Sequence, residues 1–145
     1  KILDTNDVAK DDLYRIVNDW YGEVIKKQNK KDIFDLKYRM AIKNNFSGFT
    51  TSRVMAVDGR PVGFNAGYEA PNRPGRFGGI IGLHDYSIKD LGMILWLEDL
   101  DWIKNAGYKV LDMQGSEPED LKTKTQFGAT IEKKTDAFSI EKITN

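Results

Sequence analysis

The chain has 145 residues, enough for one domain with a substantial core, and its 22 basic and 22 acidic residues leave no net charge. This balance provides no overall field for binding DNA or an anionic membrane. The absence of cysteine excludes disulfides and Cys-type zinc sites, and the single histidine, His84, excludes a multi-histidine metal cluster within the chain. No apolar run approaches the roughly 20 residues of a membrane-spanning helix. We therefore expect one cytoplasmic domain over residues 1–145, or a piece of a longer protein.

The first part of the chain favours helices. Apolar residues recur at three-and-four spacing over residues 7–28, which predicts an amphipathic helix. Residues 31–45 predict a second helix, with Leu36 and Met40 on its apolar stripe.

The middle of the chain changes to strands. Residues 53–57 and 62–70 flank an Asp58-Gly59 turn, which is typical of a hairpin. Residues 77–86 predict a third strand that is unusually rich in glycine.

The last part of the chain returns to helices alternating with strands. Residues 91–105 predict a mostly buried helix, and residues 108–113 predict a strand that runs parallel to residues 77–83 through a right-handed crossover. A short helix over residues 118–126 and a terminal strand or hairpin over residues 129–143 follow. The order predicts a single α/β (α+β) domain, whose mixed, mostly antiparallel sheet carries helices on both faces and includes a parallel β-α-β crossover.

This order, and the segment from Leu91 to Ala129, resemble the GCN5-related N-acetyltransferase (GNAT) fold. The closer resemblance is to the branch of the Fem-type aminoacyltransferases and the C-terminal domain of lysyl-phosphatidylglycerol synthases. The motifs that carry it are Gly107-Tyr108, LDMQGS at residues 111–116 and TKTQFG at residues 123–128. The resemblance implies direct transfer of an acyl or aminoacyl group to an amine or hydroxyl. It implies an aminoacyl-tRNA or acyl-CoA donor, no permanently bound cofactor, and a small-molecule, lipid or peptide acceptor.

The loop before the helix at residues 91–105 departs from the family pattern. Acetyl-CoA-dependent members have a glycine-rich loop there, whose N–H groups and helix dipole hold a pyrophosphate. The matching residues here are 87–92, and they include the candidate donor-binding residues Lys89 and Gly92. Because Asp90 places a carboxylate where phosphate oxygens would lie, we expect acetyl-CoA to bind weakly or not at all. Fem-type enzymes tolerate a poor loop but usually have two such domains, so the resemblance leaves room for a second GNAT-like domain or a homodimer.

Three polar residues are candidate catalytic groups. The resemblance places Lys124 near the donor, where a cation can polarise an ester carbonyl; the alternative is a solvated lysine, like Lys122 about 200° around the helix. Asp112 ends a central strand, where it either orients an attacking amine or caps the following turn. His84 ends the third strand and is either a base near neutral pH or a structural hydrogen-bonding residue.

Two glycines of the third strand, Gly79 and Gly82, complete the candidate site. They either allow a ligand to approach the backbone closely or mark a bulge. In the GNAT fold they would flank, together with Asp112, a V-shaped gap between two parallel strands. A non-catalytic GNAT-like binding module, or one half of a tandem-domain protein, is the alternative function, and the degenerate loop favours it.

Overall fold

The computed structural model describes residues 1–26, 35–113, 122 and 124–130. Contacts divide the chain into two units, residues 1–114 and residues 115–145. The first unit contains a sheet and helices. In chain order they are β1 (Ile2–Asp4), α1 (Lys10–Trp20), α2 (Asp35–Lys43), β2 (Thr51–Val57), β3 (Arg60–Glu69), β4 (Arg76–His84), α3 (Leu91–Asn105) and β5 (Val110–Asp112).

The strands form one sheet in the spatial order β1-β2-β3-β4-β5. The first three pairings are antiparallel, and β4 pairs with β5 in parallel across the α3 crossover. In the centre of the sheet Phe64 pairs with Val54 on one side and with Leu83 on the other. The predicted hairpin, the predicted parallel pair and the predicted fold class are all confirmed.

Helices pack on both faces of the sheet, so consecutive side chains of β3, which point alternately to the two faces, are nearly all buried. One face of the sheet packs against α1 and α2. The largest fully buried side chains of this core include Phe64, Val54, Leu13, Ile16 and Ile42. On the opposite face, Met55 and Val62 form a smaller core with Leu91 and Leu95 of α3.

The N-terminal helices differ from the predicted ones. The helix predicted over residues 7–28 begins at Lys10, and a π-helical stretch, Tyr21–Lys26, follows α1. The predicted start of the second helix falls at residues 31–34, which lie outside the described residues. A short strand at the N-terminus, β1, was not predicted, because three residues are too few to show a period.

The predicted apolar stripe of α2 is wrong. Leu36 and Met40 are exposed, whereas Tyr38, Ala41 and Ile42 are buried. The ring of Tyr38 packs edge-to-face against Trp20 and Phe64, and this aromatic contact turns the other face of α2 toward the sheet.

The bounds predicted for α3 are confirmed, but its expected burial is wrong. One stripe of the helix, with a spacing of four residues, is buried: Leu91, Leu95, Asp99 and Ile103. Three apolar residues are exposed: Met93, Ile94 and Leu97. Among the described residues no helix is both long and apolar enough to cross a bilayer.

The second unit is described at Lys122 and residues 124–130. The N–H of Ala129 donates to the carbonyl of Lys124 (3.2 Å), and the N–H of Gly128 donates to the carbonyl of Thr125 (3.0 Å). Gly128 has φ 82°, so these two bonds end a helical turn at a left-handed residue that favours glycine. Most of the helix predicted over residues 118–126, and the terminal strand beyond residue 130, lie outside the described residues.

Gly82 has a clear packing reason to be glycine. It pairs with Asn65 of β3, and a Cβ on Gly82 would lie 1.7 Å from the Asn65 Oδ1 atom. We therefore expect Gly82→Ala to lower the free energy of unfolding by about 1–3 kcal/mol through overpacking, as measured by urea denaturation. In an Asn65→Ala background the same substitution should cost less, because the two closest contacts are gone and only the Phe64 carbonyl, at 2.9 Å, remains too near.

Gly78→Ala is the matched control for Gly82→Ala. It lies on the same strand, where the nearest atom to an added Cβ, the Ala70 Cβ, would be at an ordinary 3.4 Å. Equal losses for the two alanine variants, or no relief in the Asn65→Ala background, would contradict the packing account.

Candidate functional site

The two parallel strands stay paired for only three residues. Residues 76–78 of β4 pair with residues 110–112 of β5. Beyond them, the described part of the chain gives β4 a partner on the β3 side alone. Among the described residues, 79–84 therefore have no strand partner on the side away from β3, and this side of residues 79–84 is called the open edge of β4 below.

A bulge in β4 lies where the strands part. Gly67 and Tyr68 of β3 pair with Ile80 and Gly78, which leaves Gly79 between them without a partner. Gly79 has φ 60°, a left-handed conformation that glycine adopts without steric cost. A bulge bends its strand, so Gly79 lies where the gap expected from the resemblance would begin, and the gap itself stays a prediction.

The N-terminus of α3 follows the end of β4. The N–H of Leu91 donates to the carbonyl of Ile88 at 3.4 Å, and the N–H groups of Gly92 and Met93 have no backbone acceptor among the described residues. Together with the helix dipole, these free N–H groups make this helix end electropositive. The loop residue Lys89 is exposed nearby in sequence.

Asp90 immediately precedes α3 in a left-handed conformation. Its φ is 60° and its ψ is 3°, and its side chain makes no capping hydrogen bond. Aspartate tolerates this conformation better than most residues other than glycine. The loop therefore has a backbone conformation that glycine favours, together with an exposed carboxylate at the positive end of the helix.

The side chain of His84, the last residue of β4, lies against the first turn of α3. A Cβ on Gly92 would be 2.7 Å from the imidazole Cε1 atom and 2.9 Å from its Nε2 atom, so a larger residue at position 92 would force the ring to move. The ring also stacks on Tyr86, with 4.2 Å between centroids. Burial lowers the pKa of His84, and the nearby Asp85 carboxylate partly offsets this effect. The imidazole is therefore mainly neutral at pH 7.

A short turn holds the loop between β4 and α3. The Asp85 carboxylate accepts hydrogen bonds from the backbone N–H of Ser87 (2.9 Å) and from its hydroxyl (2.6 Å). The hydroxyl bond is the main reason why the pKa of Asp85 is lowered. The turn fixes the path of the chain into the helix.

Asp112 and His84 lie at opposite ends of the open edge. Asp112 pairs with Gly78 at the base of the gap, where its carboxylate is 3.9 Å from the Arg76 guanidinium. His84 lies six residues further along β4, which corresponds to roughly 20 Å of strand. The structure therefore does not bring these two candidate bases together.

The remaining candidate, Lys124, belongs to the second unit. It is partly buried there, and Lys122 is exposed. The approach of Lys124 to Asp112 stays a prediction. Among the described residues no three His, Asp or Glu side chains are grouped so that they could hold a metal ion.

The structure contains a buried polar network that the sequence did not predict. Asp99 of α3 is only 6% exposed and accepts hydrogen bonds from the Arg53 and Asn65 side chains. Burial raises the pKa of Asp99, against the opposing effect of these two partners. The spacing of Asp99 in the sequence could have indicated its burial, because Asp99 lies four residues from both Leu95 and Ile103, on the apolar stripe of the helix.

Comparisons with known proteins agree with this architecture. No protein-family model matches the sequence, and no curated protein matches it. Solved structures do match. A possible acetyltransferase from Clostridium difficile 630 has a TM-score of 0.62 at 15% identity, with 99% of this chain and 98% of that chain covered. A transcriptional regulator from Bacillus halodurans C-125 has a TM-score of 0.61 at 14% identity, covering 97% and 99%.

A ribosomal-protein-alanine N-acetyltransferase from Brucella melitensis biovar Abortus 2308 has a TM-score of 0.59 at 17% identity, with 97% of both chains covered. At these identities the likeness concerns the fold. The chain has the GNAT fold, as its sequence predicts.

The lowered pKa of His84 predicts a pH-dependent loss of stability. As pH falls, His84 of the unfolded chain binds a proton near pH 6.5, whereas His84 of the folded protein binds one only at lower pH. The contribution of neutral His84 to stability is therefore complete above pH 6.5 and is lost as pH falls through the pKa of the folded state. Urea denaturation between pH 5 and 7.5 should show this loss for the wild type, and His84→Gln should remove it. Parallel stability profiles for the two proteins would contradict the half-buried, neutral imidazole.

Proposed function

We propose that the protein is an acyltransferase that moves an acyl group from acyl-CoA to an amine or hydroxyl by direct attack. The observation that carries this proposal is the parting of β4 and β5 at Gly79, on a strand that leads to the N-terminus of α3. The free N–H groups of Gly92 and Met93 suit the phosphates of such a donor, with Lys89 as an added cation. Proteins named as acetyltransferases share this fold.

The geometry gives the donor a direction. With its phosphates at the N-terminus of α3, near His84, its extended arm would follow residues 79–84 toward the base of the gap. The thioester would then lie near Gly79 and Asp112. On this reading Asp112 is the better candidate for orienting the acceptor or accepting its proton, and His84 lies beside the phosphates.

The reaction needs no covalent enzyme intermediate. The acceptor nitrogen or oxygen attacks the thioester carbonyl carbon, the C–S bond breaks, the thiolate leaves, and the acceptor loses a proton to a base. Backbone N–H groups at the open edge are suited to stabilise the negative charge that develops on the carbonyl oxygen. A small molecule, a lipid and a peptide all fit this chemistry as acceptors.

The exposed carboxylate of Asp90 favours two alternatives. Because it opposes phosphate binding at α3, it suits an aminoacyl-tRNA donor of the kind used in the Fem-type branch. It also suits a non-catalytic module that pairs with a second GNAT-like domain or forms a homodimer. Both alternatives predict that acetyl-CoA produces no transfer.

Substitution of Asp90 tests the acyl-CoA proposal. Removing this charge beside the donor phosphates should strengthen acetyl-CoA binding by about 1 kcal/mol, or about fivefold, in calorimetric titrations. Asp90→Asn removes the charge but keeps a side chain that tolerates the left-handed backbone, whereas Asp90→Gly also relieves the backbone strain. Asp90→Asn should therefore produce most of the gain in acetyl-CoA affinity. Unchanged, negligible binding in both variants would reject the acyl-CoA donor, and titration with charged tRNA would then separate the two alternatives.

Lys124 provides the test of catalysis. If it faces the donor, as the family resemblance implies, Lys124→Ala removes a cation from the site of developing negative charge and should slow transfer about a hundredfold. The free energy of unfolding should change by only about 0.5 kcal/mol. Lys122→Ala is the matched control and should retain activity. Full activity in both variants would remove Lys124 from the site.

A further inference from the structure

The buried carboxylate of Asp99 joins α3 to two strands at once. It accepts hydrogen bonds from Arg53 of β2 and from Asn65 of β3. The Arg53 guanidinium also donates to the Glu98 carbonyl at 3.0 Å and lies 5.7 Å from the centroid of the Trp102 ring. Arg53 therefore contacts both the backbone and the side chains of this part of α3.

Asn65 extends the network to β4. Its amide nitrogen donates to Asp99, and its Oδ1 atom occupies the space that a side chain on Gly82 would fill. Gly82 lies within residues 79–84, the open edge of β4. One asparagine side chain thus contacts both α3 and the strand edge that borders the candidate donor groove.

The contacts nearer the start of α3 are of a different kind. There Leu91 and Leu95 pack against Met55 and Val62. Apolar packing is not directional, so it holds a helix to a sheet without fixing the rotation of the helix. Hydrogen bonds to a buried carboxylate are directional and short, and they do fix it.

The distance along α3 makes this restraint relevant to the site. Asp99 is eight residues from Leu91, which corresponds to roughly 12 Å along the helix axis. A rotation or slide at Asp99 would therefore move the free N–H groups of Gly92 and Met93. A buried charge pair contributes little net stability compared with apolar residues of similar size, so its main effect here is on geometry.

We propose that Asp99 is a positioning residue, which acts through Arg53 and Asn65 to fix the N-terminus of α3 against the open edge of β4. It thereby sets the geometry of the donor groove. This inference rests on the proposed function for the identity of the donor. The position of α3 itself can be measured without any donor, because the only histidine of the chain packs against Gly92.

The test compares Asp99→Asn with wild type by NMR titration of the His84 imidazole. A loosened α3 exposes the ring to water and should raise the pKa of His84 toward 6.5. The direct electrostatic effect of removing a carboxylate has the opposite sign, since it disfavours the imidazolium. Glu98→Gln is the matched control, because it removes a charge from the adjacent, exposed position of the same helix. The control should leave the pKa of His84 unchanged or slightly lower.

Donor binding gives the second readout. In titrations with acetyl-CoA, followed by the His84 signals, Asp99→Asn should raise the dissociation constant about tenfold, the equivalent of weakening one hydrogen bond to a charged group. Glu98→Gln should not weaken binding. If Asp99→Asn fails to fold, Asn65→Ala replaces it, since that variant keeps the Arg53–Asp99 pair. It should change both readouts in the same direction.

The outcomes separate the two proposals. Absence of acetyl-CoA binding by the wild-type protein would overturn the proposed donor, and the titration of His84 would still decide whether Asp99 positions α3. A folded Asp99→Asn variant whose His84 pKa matches that of Glu98→Gln would overturn the positioning role. If the wild type binds acetyl-CoA, a folded Asp99→Asn variant with unchanged acetyl-CoA affinity would also overturn the positioning role.

Discussion

The early end of the β4–β5 pairing is the constraint on which the candidate site depends. Two parallel strands that stayed paired along their length would satisfy each other's backbone groups and leave no edge for a ligand. Here a bulge at Gly79 bends β4 after three paired residues, and the left-handed φ of Gly79 is what allows it. The same strand then ends beside the N-terminus of α3, where the His84 ring lies against Gly92.

That helix N-terminus combines two opposing electrostatic features. The free N–H groups of Gly92 and Met93 favour an anion, and the exposed carboxylate of Asp90 opposes one. Asp90 thus has a left-handed backbone conformation that glycine would favour, together with a carboxylate that opposes an anion. The balance of these effects decides how well this helix end can bind an anion.

The sequence predicted the elements whose patterns are strong and local. The bounds of α3 follow from its long apolar run, and the hairpin follows from the Asp58-Gly59 turn, because both signals lie within the element itself. The stripe of α2 and the burial of Asp99 were missed because they depend on partners elsewhere in the chain: Trp20 for the former, Arg53 for the latter. The same limit applies to the site. Asp112 and His84 belong to different strands, and the sequence does not reveal that they lie at opposite ends of the open edge of β4.

We propose that an acyl donor lies along the open edge of β4 with its phosphates at α3. The most direct measurement is the change in backbone amide signals when acetyl-CoA is added to the ¹⁵N-labelled wild-type protein. We expect the largest changes at residues 79–84 and at Gly92 and Met93. Changes confined to other surfaces, such as the exposed face of α2 at Leu36 and Met40, or no changes at saturating donor, would contradict it.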